Sequence, residues 1–115
     1  MSTASRGSAR ERQVRKLLEA EGWAVTRGAG SKGCADLWAG RTGPWFDGFN
    51  WHGAGEKTVL RLVQVKSDRS GPYAHFGPRE RRELASLAKQ TGGTAELWHW
   101  PPHKPCRVYL ESEWP

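Results

Sequence analysis

The chain has 115 residues, of which 37% are apolar and 26% charged, with 14 Gly, 7 Pro and two Cys. That length suits one domain with a modest core, and no run approaches the roughly 18 consecutive apolar residues of a membrane span. Eighteen Lys/Arg against twelve Asp/Glu leave a net charge of +6, which argues against an acidic-surface protein and favours a polyanionic partner, nucleic acid first. Residues 1–15 lack the apolar run of a secretory signal. Cys34 and Cys106 fit neither zinc-site spacing nor a disulfide framework, which suits a reducing cytoplasm. The charge is uneven: residues 58–91 carry seven bases and three acids, a net of +4, while residues 92–115 are net −1. A concentrated excess points to a binding face.

Residues 1–7 are small, polar and basic and read as a frayed tail. Ser8 and Glu11 have capping-box spacing, Val14, Leu17 and Leu18 recur at helical spacing, and Gly22 supplies a stop, which together predict a helix over 9–21. Trp23–Thr26 reads as a short strand, and Gly28–Gly33 as a glycine-rich turn. Residues 35–39 read as a second strand carrying Asp36. Residues 40–57 have no period; five glycines and Trp45, Phe46, Phe49 and Trp51 mark an insertion, which a twisted hairpin would satisfy. Thr58–Ser67 (TVLRLVQVKS) is the strongest strand, long and β-branched enough for a central position. Pro78 opens a second helix with the stripe Leu84, Leu87 and Ala88, and Gly92-Gly93 ends it. Thr94–Trp100 and Cys106–Glu111 complete the strands. The order α-β-β-β-α-β-β predicts an α/β domain, a mixed sheet flanked by helices.

Residues two apart on a strand share a face, so Gln64 and Lys66 project together with Leu62, while Val63 and Val65 point the other way. An amide and an ammonium on the apolar face of a central strand are costly unless partnered. If Asp36 pairs alongside, a carboxylate and an amide oxygen converge, a donor set suited to Mg²⁺, with a lysine beside them able to stabilise phosphate charge. A structural ion pair between Asp36 and Lys66 is the alternative, and spacing alone does not choose between them.

Taken together, the helix Glu11, the loop Arg27-Gly28-Ala29-Gly30-Ser31, the strand Ala35-Asp36-Leu37 and the strand Gln64-Val65-Lys66-Ser67 resemble the archaeal-type Holliday junction resolvases of the PD-(D/E)xK nuclease superfamily. The resemblance covers roughly residues 7–39 and 58–100. It implies a restriction-endonuclease-like fold and metal-dependent hydrolysis of DNA phosphodiesters, with Mg²⁺ as cofactor and Mn²⁺ as a substitute. It further implies a four-way or otherwise branched DNA substrate and a homodimer, since a junction offers two symmetric cuts. By position, Asp36, Gln64 and Glu11 would hold metal, and Lys66 would be the catalytic lysine. Arg27 and Ser31 would lie beside the scissile phosphate.

Two departures stand out. Ala35 replaces the proline of "PD", a mild change. Gln64 replaces the acid of "ExK", keeping an oxygen but losing a charge. Rivals to a resolvase are therefore a degenerate DNA-binding module of the same fold, a nuclease for another DNA structure, and a small RNA-binding or interaction protein using the aromatic insertion. Glu11 also reads as the acid of its capping box. The remaining bases, Lys32 in the loop and Arg69, Arg79 and Arg82 around the second helix, suit phosphate contact or an ordinary solvated surface. The aromatics of 40–57 could stack on unpaired bases or pack structurally. The four histidines show no metal spacing.

Overall fold

The computed structural model describes residues 3–28, 35–42, 45–46, 49–52 and 58–115. Helix α1 (Thr3–Ala20) leads into β1 (Ala24–Arg27) and β2 (Leu37–Thr42). The short β3 (Trp45–Phe46) and β4 (Trp51–His52) pair antiparallel as a separate two-stranded sheet, the hairpin anticipated for the insertion. Strand β5 (Thr58–Ser67), helix α2 (Pro78–Thr91), β6 (Thr94–Trp100), β7 (Arg107–Leu110) and a 3₁₀ turn (Glu111–Glu113) follow.

The main sheet has the order β1-β2-β5-β6-β7, so β5 is central as its sequence demands. It pairs antiparallel with β2 and parallel with β6; α2 supplies the crossover. On one face Val14 and Leu18 of α1 pack with Val63 and Val65. On the other, Leu84 and Ala88 of α2 pack with Leu62 and Leu97. The alternation along β5 therefore sends Gln64 and Lys66 to the α2 side, and Arg61 to the α1 side.

Three boundaries differ from the sequence reading. Helix α1 starts at Thr3, so residues 3–7 are helical rather than frayed, and Ser8 lies inside the helix. The Ser8–Glu11 capping box therefore does not exist, which releases Glu11 from that role. Asp36 sits one residue ahead of β2 rather than inside a strand. The C-terminal 3₁₀ turn carries no periodic signal; it forms because Trp114 donates its indole N–H to the Tyr109 carbonyl at 3.1 Å and sets its ring edge-on to buried Phe76. Both helices end as anticipated, with Gly22 (φ 92°) and Gly92 (φ 72°) in the left-handed region.

Candidate active site

The site forms where β2 begins and β5 ends. The Asp36 backbone N–H donates to the Val63 carbonyl (2.9 Å), and the Asp36 carbonyl accepts from Gly28 N–H (2.9 Å). This ties the end of the glycine loop to the strand. A Cβ at position 28 would collide with the Ala35 carbonyl oxygen, so this approach requires glycine. Held this way, the Asp36 carboxylate accepts from Val65 N–H at 2.8 Å and from the Gln64 side-chain amide at 3.0 Å. The expected convergence of Asp36 with Gln64 is present.

Gln64 is 95% buried (relative exposure 5%), yet its Oε1 has no hydrogen-bond donor. A buried acceptor without a donor is costly. It is also the oxygen that a hard cation beside Asp36 would engage. Burial raises the Asp36 pKa, opposed by the Val65 N–H, then Lys66 and Arg27, and reinforced by Glu80. Glu11, on α1, also has a raised pKa, from partial burial first and the negative charge of Asp36 second, with Arg27 opposing. The Asp36 carboxylate thus disfavours the charge on Glu11, as Glu80 does that on Asp36, and a cation placed among them would relieve both. Arg27 reaches Glu11 at 3.5 Å, so the loop arginine and the helix carboxylate do meet.

Lys66 does not pair with Asp36 as a simple ion pair; its Nζ lies 3.6 Å from Glu80, in the first turn of α2. Glu80 is a neighbour that sequence reasoning missed, because an acid near the start of an exposed helix is an ordinary dipole partner. Asp68 and His99 were missed too: Asp68 Oδ1 lies 3.6 Å from His99 Nε2, and His99 is buried on β6 in register with Lys66. The only hint was the alternation of β6, which puts His99 on the same sheet face as Leu97.

The proposed phosphate contacts divide. Arg27 is exposed and at the site. Arg69 is exposed on the turn after β5, where Ser70 N–H binds Asp68 Oδ1 at 2.9 Å. Arg79 pairs with Glu83 at 3.1 Å and, with Arg82, lines an open groove on the flank of α2 away from its buried Leu84 and Ala88. Ser31 and Lys32 lie outside the described residues. The positive excess of residues 58–91 is partly neutralised internally, since Arg61, Lys66 and Arg79 all face acids. Among the described residues, no three His, Cys, Asp or Glu side chains gather as a metal cage. Nor is any helix among them long and apolar enough to cross a membrane.

Comparison with known proteins bears on this arrangement. The sequence profile of the archaeal Holliday junction resolvase family matches residues 2–46, the stretch that holds Glu11, Arg27 and Asp36. A crossover junction endodeoxyribonuclease, Hjc, from Methanocaldococcus jannaschii is 60% identical over 38 residues, 33% of this chain. That match spans only 28% of the relative's length. The solved structure of Archaeoglobus fulgidus Hjc, a Holliday junction resolvase, aligns over 93% of this chain and 74% of its own with a TM-score of 0.65, at 21% identity. The mixed sheet flanked by helices is thus the fold of that resolvase, consistent with the restriction-endonuclease-like architecture read from the sequence. The N-terminal third of the chain is thus similar in sequence to the archaeal Holliday junction resolvases, and the whole chain shares the fold of one of them.

Proposed function

We propose that this protein is a metal-dependent DNA endonuclease that resolves four-way junctions, acting as a homodimer in the cytoplasm. The observation that carries the chemistry is the partly buried Asp36–Gln64 pair with its unpartnered Gln64 Oε1, set on the same face as Lys66. A divalent cation, Mg²⁺ or Mn²⁺, would be held by Asp36, Gln64 Oε1 and Glu11. When bound, it would supply Lewis-acid polarisation of the phosphate and lower the pKa of a coordinated water.

The chain's own residues do the rest. Val65 N–H fixes one Asp36 oxygen, which orients the carboxylate. Lys66, once released from Glu80, offers an ammonium to the charge that develops on the phosphate. Arg27, mostly exposed beside Glu11, steers and positions the DNA strand. A dimer presents two such sites to the two symmetric strands of a junction.

A second reading has one observation in its favour. The missing acid at position 64 leaves no three-acid cage among the described residues, as a degenerate DNA-binding module would. Cleavage of a labelled four-way junction beside linear duplex, in Mg²⁺ and in Mn²⁺, separates the two. Paired symmetric nicks in the junction support the resolvase. Binding without cutting in either metal supports the module. Cutting of other branched DNA in preference to junctions would keep the nuclease and change its substrate.

A further inference from the structure

Replacing an acid by Gln64 removes a full negative charge from a site that must hold a dication opposite a polyanion. Cation affinity in oxygen sites depends on the number of charged ligands. The site should therefore recruit charge from elsewhere, and only a few places are available. On the α1 side, Glu11 is already counted and is engaged by Arg27. On the β6 side, Asp68 faces His99. On the α2 side stands Glu80, 3.6 Å from Lys66 Nζ.

Its placement follows from the fold. Pro78 at the start of α2 and the carbonyl of Gly77, which accepts the Arg81 N–H at 2.9 Å, set the first turn over the end of β5. Arg81 reinforces this by donating to the Phe76 carbonyl at 2.6 Å. Leu84, one turn on, is fully buried against the same sheet face, so Glu80 lies on the helix flank that meets Lys66. Its charge is near enough to Asp36 to be felt there. Glu80 therefore touches both halves of the candidate chemistry, the lysine directly and the aspartate through space. The buried Oε1 of Gln64, still without a donor, marks where a cation would enter this field.

We propose that Glu80 supplies the charge that Gln64 lacks: it is a positioning residue that completes the electrostatics of a divalent-cation site built on Asp36 and Gln64, and it parks Lys66 until a phosphate arrives. The inference rests on the metal-dependent reading above. It makes the glutamine a relocated charge rather than a lost one.

The test is thermodynamic coupling between positions 64 and 80, read by calorimetric Mn²⁺ titration of the full chain without DNA. Four proteins are needed: wild type, Glu80→Gln, Gln64→Glu and the double variant. Glu80→Gln should weaken Mn²⁺ binding by about tenfold or more, the usual effect of removing an outer-shell partner. In the Gln64→Glu background the same change should cost less than about threefold, because the charge is already restored. Equal losses in both backgrounds, or Mn²⁺ binding that Glu80→Gln leaves intact, would overturn the inference while sparing the metal-dependent reading. No Mn²⁺ binding by any of the four would overturn both. A merely structural role for Glu80 would move the thermal midpoint without this coupling.

Discussion

The two faces of β5 each carry a polar cluster, and the clusters are opposites. On the α1 face, Arg61 and Glu96 form a two-pronged pair with both bonds at 2.6 Å, at 9% and 0% side-chain exposure. Trp98 donates its indole N–H to Glu96 at 3.1 Å, and the Arg61 guanidinium lies 4.9 Å from the Trp23 ring. Every charge there is answered from within the chain. On the α2 face, Gln64 Oε1 has no donor, Asp36 has a raised pKa, and Lys66 faces a half-exposed glutamate. Polarity that is satisfied internally holds a fold together. Polarity left unsatisfied costs stability and persists where a ligand is meant to answer it. One buried donor on the α1 face, the Trp100 indole N–H, also lacks a partner, but the charged groups divide: we read the Arg61–Glu96 cluster as structural and propose the other as the functional one.

The sharpest way to break this contrast is at the proposed catalytic end. Asp36→Ala and Lys66→Ala should each reduce junction cleavage to background in a gel assay while changing DNA binding only a few-fold. Residual cutting near the wild-type level would remove Asp36 and Lys66 from the chemistry. The structural face should answer in the opposite currency. Glu96→Ala strands a buried guanidinium and should cost about 3–5 kcal/mol in urea unfolding, as for other broken buried pairs. A loss below about 1 kcal/mol would show that water reaches this pair.

Smaller effects sharpen the contrast further. Asp36 has a raised pKa in the fold, so the folded state binds more protons than the unfolded one between the two pKa values. Metal-free stability should therefore fall as pH rises through the carboxylate range into the raised Asp36 titration. Asp36→Asn should flatten that fall, as read by thermal unfolding at a series of pH values in chelator. Glu11 adds to the fall in the same direction, so Glu11→Gln should flatten it less. The smallest expected change is Arg82→Gln, on the outer flank of α2. It should reduce the salt slope of junction binding by less than Arg27→Gln does, measured by fluorescence anisotropy.

Much of this was legible in the sequence, and the exceptions have physical causes. The ten residues of β5 declare themselves by β-branching, and their alternation alone puts Gln64 and Lys66 together on one face. Both helix stops were legible because left-handed glycines are nearly obligatory there. The start of α1 was not: Ser8 and Glu11 mimic a capping box, and the chain simply continues the helix N-terminal to them, which local spacing does not forbid. Arg61–Glu96 was illegible because its partners are 35 residues apart and meet only when β5 pairs with β6. Glu80 was illegible for a related reason. Its role depends on where the crossover helix lands, and a first-turn glutamate looks the same whether it faces solvent or an active site.

The central contrast reduces to one comparison, the thermal midpoints of wild type and Asp36→Asn, each in chelator and in Mn²⁺. A ligand that binds only the native state raises its stability by mass action. The expected result is that Asp36→Asn is the more stable protein in chelator, and that Mn²⁺ raises the wild-type midpoint but not that of the variant. Equal responses to Mn²⁺, or a variant less stable than wild type without metal, would contradict the assignment of the α2 face as a site held unsatisfied for a cation.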